Sequence, residues 1–135
     1  LVLISTMRRS NTNVPVVVDG QERWPTRTIK YLGVTLEDHL SWRLHIENVT
    51  AKATRVAQAV TRLMRNHSGP KCAKRRLLAS VVTSVLRYAA PIWQQAVDLR
   101  HCRRELGRVQ GVYARPVART FVSVRHEVAT VLASI

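Results

Sequence analysis

Over the first third of the chain, apolar and polar positions alternate in short bursts that predict strands and turns. Leu1-Val-Leu-Ile-Ser5 is a short apolar run with β-branched residues, and Met7–Asn13 is a polar break. Val14-Pro-Val-Val-Val18 follows, then Asp19-Gly20. An Asp-Gly pair after a β-branched run signals a two-residue hairpin, because glycine tolerates positive φ there. Gln21–Trp24 is then the return strand. Pro25 ends it, since proline cannot donate to a ladder, and Pro15 marks the preceding strand as an edge. Thr28–Leu36 reads as one further strand. Apolar residues on both of its faces predict packing on both sides, and Gly33 in its middle predicts a bulge or a close backbone approach.

The pattern changes period near Ser41, a good helix N-cap. Trp42, Ile46, Val49, Ala53, Val56, Val60 and Leu63 recur at steps of three and four, predicting one helix from about Ser41 to Arg65. Ser68 and Pro70 restart a helix. It runs to about Ala90, with Ala73, Leu77, Val81, Ser84, Val85 and Tyr88 on its buried face and Leu78 and Val82 widening it. A third helix starts near Asp98 and buries Leu99, Cys102, Leu106, Val109 and Tyr113. Pro116 should end or kink it. Ser123 caps a last short helix whose apolar residues are Val128, Val131, Leu132 and Ile135. The fold class expected is therefore α+β: a small antiparallel hairpin region over residues 1–36, then a mainly helical bundle over 41–135.

Composition adds a partner class. The 135 residues suit one domain or a piece of a larger one. At 46% hydrophobic and 22% charged the chain is no disordered tail. No apolar run approaches the roughly 18 residues that span a bilayer, and no signal peptide is recognisable. The chain begins at Leu1 rather than Met, a first hint of a fragment. Lys plus Arg number 22 against 8 acids, a formal charge of +14. Eighteen of the basic residues are Arg, whose planar fork matches phosphate oxygens, so nucleic acid is the first partner to consider. The charge leans to the second half: residues 67–135 carry twelve basic and three acidic residues. Lys52, Arg55 and Arg62 line a polar strip of the first helix, and Lys71, Lys74, Arg75 and Arg76 crowd the start of the second. Cations there oppose the helix dipole. Arg100, Arg104 and Arg108 repeat at i, i+4 on the third helix, where like charges repel and an anionic partner would relieve them.

The chemistry available is limited. Glu37-Asp38 is the one adjacent carboxylate pair, and neighbours in a turn seldom converge on two metal ions. It reads as favourable charge ahead of the first helix. Five histidines and Cys72 and Cys102 show no zinc spacing, two lone cysteines suit a reducing compartment, and no glycine-rich phosphate loop is present. Trp42 and Trp93 read as core. No catalytic residue and no metal ligand is assigned.

Two stretches carry a resemblance. Ile29-Lys-Tyr-Leu-Gly-Val-Thr-Leu-Glu-Asp-His-Leu-Ser-Trp-Arg-Leu-His-Ile46 resembles a strand and helix start of non-LTR retrotransposon reverse transcriptases. Arg75-Arg-Leu-Leu-Ala-Ser-Val-Val-Thr-Ser-Val-Leu-Arg-Tyr-Ala-Ala-Pro-Ile-Trp93 is similar to a later helix of the same family. Val109-Gln110 and Ala129–Ile135 match further segments in the family's order. The chain looks most like the Pol polyprotein of type-1 insect retrotransposable elements. Departures are Ala89-Ala90 in place of the usual Gly-Ala, Ser134 where glycine is usual, and Gly111 and Pro116 inside a helix. These put that helix's geometry in question and suggest a decayed copy.

The resemblance implies the end of a palm, 1–36, and a thumb with the segment after it, 41–135. Lys30, Tyr31, Leu32, Gly33 and Val34 would be a primer-grip-like element. Lys52, Arg55, Arg62, Lys71, Lys74, Arg75 and Arg76 would hold an RNA–DNA hybrid by its backbone. The parent would be an RNA-directed DNA polymerase with an endonuclease upstream, using magnesium, an RNA template and a DNA primer, and acting inside the cell, in the nucleus. This piece alone would be inactive, its catalytic aspartates lying upstream. The rival reading is a free-standing basic helical RNA-binding module.

Overall fold

The computed structural model describes residues 14–65 and 69–135. Leu1–Ser5, the Met7–Asn13 break and the expected Ser68 cap lie outside the described residues. The architecture is α+β: small antiparallel hairpins, then a mainly helical region. The chain forms two compact units, the first ending at His45 and the second running from Ile46 to Ile135.

In the first unit, β1 (Val16–Val18) pairs antiparallel with β2 (Gln21–Arg23), Val18 opposite Gln21. Asp19 and Gly20 have φ of 50° and 74°, the left-handed pair that a two-residue hairpin turn requires. The expected single strand over 28–36 is instead a second hairpin. β3 (Thr28–Tyr31) pairs with β4 (Val34–Glu37), Tyr31 opposite Val34. Leu32 and Gly33 turn the chain at φ of 46° and 80°, so Gly33 serves a turn rather than a bulge. Leucine at the first turn position hides this turn from sequence reading, because Asn or Asp is the usual signal. The expected two-sided packing is also absent: β3 is exposed along its whole length, and Val34 is the buried residue of the tip.

The Ser41 hydroxyl does not cap a helix. It donates to the Glu37 carboxylate, and α1 (Arg43–Leu63) begins two residues later, after Trp42 at a φ of 59°. Trp42 is half-buried, its ring edge-on to His45 at 6.4 Å. His45 is buried, and its Nδ1 accepts the Thr35 backbone N–H at 3.2 Å. That bond joins β4 to the first turn of α1.

The second unit has one core. α1 gives Ala53, Ala57, Val60 and Met64; α2 (Cys72–Arg87) gives Ala79, Val82 and Leu86; α4 (Arg100–Ala118) gives Val109, Tyr113 and Val117. Between α2 and α4, Ala89 at φ 53° leads into α3 (Ala90–Trp93), and a 3-10 turn covers Gln94–Asp98. α5 (His126–Ala133) adds Ala133. The Tyr113 hydroxyl lies 3.2 Å from Thr83 Oγ1, and Trp93 Nε1 donates to the Tyr88 carbonyl at 2.9 Å.

Two expected faces are corrected, and α5 shows which of its residues turn inward. The α1 stripe ends on buried Met64, with Leu63 exposed. α2 buries Arg75, Ala79, Val82 and Leu86, centred on nearly the opposite side of the helix from Ala73, Leu77, Val81, Ser84 and Tyr88 at 100° per residue. The expected Val82 is thus buried, and Leu78 and Val85 pack against the core. Leu77 is accordingly 70% exposed. α5 buries Ala129 and Ala133 and exposes Val128, Val131 and Leu132. The alanines permit close helix contact: a Cβ on Gly111 of α4 would come within 3.1 Å of the His126 Cβ. Gly111 and Pro116 both lie inside a continuous α4, which ends at Arg119 with φ 55°.

Candidate nucleic-acid interface

α1 segregates its residues by size and charge. Its core side is built on small residues at 53 and 57, while Lys52, Arg55 and Arg62 lie on the opposite side and are all exposed. Three cations on one solvated face can meet successive phosphates without reading bases.

The cluster that opens α2 is not one patch. Lys71 and Lys74 are exposed. Arg76 is exposed too, but its Nη2 donates to Ser134 Oγ at 3.2 Å. Lys74 and Arg76 stand about 200° apart around the helix and face different ways. Arg75 leaves the candidate set: it is 0% exposed. Its guanidinium donates to the carbonyls of Pro70 (2.8 Å), Met64 (3.0 Å), Pro116 (2.5 Å) and Arg65. Burial, and then the charge of Arg119, lower its pKa, partly offset by Cys72; an arginine so placed still stays charged. Met64 and Arg65 follow the last residue of α1, where carbonyls lack helical partners. Arg75 thus ties the end of α1, the 69–71 loop and α4 together. Gly69 makes room for it, since a Cβ there would lie 2.7 Å from Arg75 Nη2. Sequence alone gives no signal for this role, because a basic residue at a helix start reads as surface.

The hairpin tip holds Lys30, Tyr31, Leu32, Gly33 and Val34. All but Val34 are exposed, Leu32 at 74%. The tip therefore offers an ammonium, a phenol ring and turn backbone to solvent, with Val34 holding its base.

α4 carries a further basic surface. A cleft of about 660 Å³ runs along it, lined by Arg100, Arg103, Arg104, Arg108, Leu106 and His126 among others. Arg108 pairs with Glu105 at 2.6 Å, and Arg103 Nε donates to the Val97 carbonyl at 3.3 Å. Among the described residues, no carboxylate pairs with Arg100, Arg103 or Arg104. The i, i+4 arginine spacing was legible in the sequence; the roles of Arg103 and of His126, brought across by α5, were not. Other arginines are structural: Arg115 Nε donates to the Val124 carbonyl at 3.0 Å, and Arg119 Nη2 to that of Pro70 at 3.1 Å.

Among the described residues no group of three or more His, Cys, Asp or Glu is placed to hold a metal ion. Glu37 accepts from Ser41, and Asp38 lies 3.8 Å from His39. No helix among the described residues is long and apolar enough to cross a membrane.

Over 107 residues the chain is 25% identical to the 115 kDa protein of the type-1 retrotransposable element R1DM of Drosophila melanogaster. The chain is similar to a retrotransposon protein. The match covers 78% of this chain and 10% of that protein, so the chain spans about a tenth of its relative's length. The similarity supports a retrotransposon-derived relationship. No protein-family model and no solved structure matches the chain.

Proposed function

We propose that this chain is part of the RNA-directed DNA polymerase of a non-LTR retrotransposon, where it holds the primer–template duplex during target-primed reverse transcription. One observation carries the reading: the stretch that resembles a primer grip forms an exposed hairpin tip, ahead of a helical unit with solvated basic faces. In this reading Lys30–Val34 approach the primer strand. Lys52, Arg55 and Arg62 track the phosphates of an RNA–DNA hybrid by shape and charge, with Lys71 and Lys74 on one side of α2 as further contacts. The catalytic aspartates, the magnesium they bind and the endonuclease belong to other parts of the parent protein. The partners are the RNA template, the DNA primer and the rest of that polyprotein, and the site of action is the nucleus.

Exposed apolar side chains on the hairpins and on α2 and α5 favour a piece of a larger assembly over a free-standing RNA-binding module. The test is titration of the chain with RNA–DNA hybrid at 50 and 200 mM salt. About four phosphate contacts imply a loss of affinity near a hundredfold between them. Affinity independent of salt would overturn the reading.

A further inference from the structure

We propose that the cleft along α4 binds a single strand of nucleic acid through its phosphates, at a site separate from the basic faces of α1 and α2. The inference deepens the reading above and rests on it for the kind of anion. Arg100, Arg104 and Arg108 climb α4 in steps of about 6 Å, of the order of the separation between successive phosphates along a strand. Arg103 stands beside them on the same wall, and His126 faces the cleft from the start of α5.

This arrangement works against the folded helix. Cations in the first turns oppose the dipole, like charges at i, i+4 repel, and the first turn of α4 holds no acid. Glu105 neutralises one guanidinium of the four. A polyanion in the cleft removes all of these costs at once. The cleft's size, about 660 Å³, falls in the range of a small-ligand site. Leu106 and Val97 add apolar lining, and guanidinium planes offer surfaces on which unpaired bases stack.

The test measures two affinities on the 135-residue chain by fluorescence anisotropy, for a ten-nucleotide single-stranded RNA and for an RNA–DNA hybrid. Arg100→Glu/Arg104→Glu should weaken single-strand binding at least tenfold more than the charge-matched Arg55→Glu/Arg62→Glu, and reduce its salt slope by about two. For the hybrid the order should reverse. The milder Arg100→Gln/Arg104→Gln, checked for an unchanged thermal melt, should show the same ranking. Equal losses of single-strand affinity from both charge reversals would overturn the α4 site while leaving hybrid binding intact. Competition by a decaglutamate peptide as strong as that by the RNA would also overturn it, by making the cleft a dock for acidic protein. An unmodified chain that binds the single strand but not the hybrid would count against the wider reading and not against the cleft.

Discussion

At the scale of single residues, the chain uses arginine for two opposite purposes. Arg55 and Arg62 keep their charge in water, whereas Arg75 spends its donors inside the protein on four carbonyls. Replacing it with methionine keeps the bulk and leaves those acceptors in an apolar site. Arg75→Met should destabilise the chain by about 3 kcal/mol, because each buried unsatisfied acceptor costs roughly 1–3 kcal/mol and some recover water. A thermal melt would fall by about 10 °C, whereas a purely surface arginine would leave it unmoved. Ala89 and Ser134 make a second case. Both adopt left-handed φ, 53° and 56°. An L side chain there costs about 1–2 kcal/mol relative to the right-handed region, part of which the more flexible unfolded glycine chain cancels. Ala89→Gly should therefore raise stability by about 0.5–1 kcal/mol, and Ser134→Gly by less, because it also removes the acceptor of the Arg76 hydrogen bond. Denaturant midpoints would show it; a lowered midpoint would mean that the side chain contributes packing that outweighs the strain.

At the scale of elements, the Asp19-Gly20 hairpin and the existence of α1 and α4 were legible, because turn chemistry and a sustained step of three and four are local signals. Their ends were not, since α4 runs past Pro116 to Ala118 and α1 starts at Arg43 rather than at a Ser41 cap. The Leu32-Gly33 turn was not, since the apolar residues around it read as one continuous strand. Nor was the α2 face: Leu77, Leu78, Val81, Val82, Val85 and Leu86 ring much of the helix, so hydrophobicity offers two faces. The buried guanidinium of Arg75, a long-range feature, goes with one of them. Alanine and glycine face α5 and α4 towards each other for a similar reason, as closeness there matters more than apolar bulk. The join between β4 and α1 makes a pH-dependent contact. Burial lowers the His45 pKa below its ordinary value near 6.5, and Nδ1 accepts from Thr35 only while unprotonated. Because the folded-state value is depressed, the unfolded chain takes up the proton first as pH falls. The contribution is complete above about pH 6.5 and declines below it, down to the lowered folded value. His45→Gln keeps an acceptor and cannot titrate. Stability measured from pH 7.5 to 5 should fall more steeply for the parent chain than for this variant, and parallel curves would remove His45 from the account.

At the scale of the whole molecule, the +14 charge and the exposed apolar side chains act in opposite directions. Leu32, Leu77, Phe121 and Val131 are each at least 70% exposed, and side chains of this kind gain when another surface covers them. Repulsion between like-charged copies opposes their association, and salt weakens that repulsion as the screening length shrinks to about 8 Å at physiological ionic strength. Hydrophobic contacts are not weakened in the same way. Two salt responses of opposite sign should follow. Affinity for an RNA–DNA hybrid falls as salt rises, whereas self-association of the free chain increases. Sedimentation of the chain at 50, 150 and 500 mM salt would read the second response directly. Substituting Leu77 and Val131 by lysine, both outside the core, should abolish it without lowering the melting temperature. A wild-type chain that stays monomeric at every salt concentration would show that the apolar side chains need no cover, and would move the balance towards the free-standing RNA-binding module.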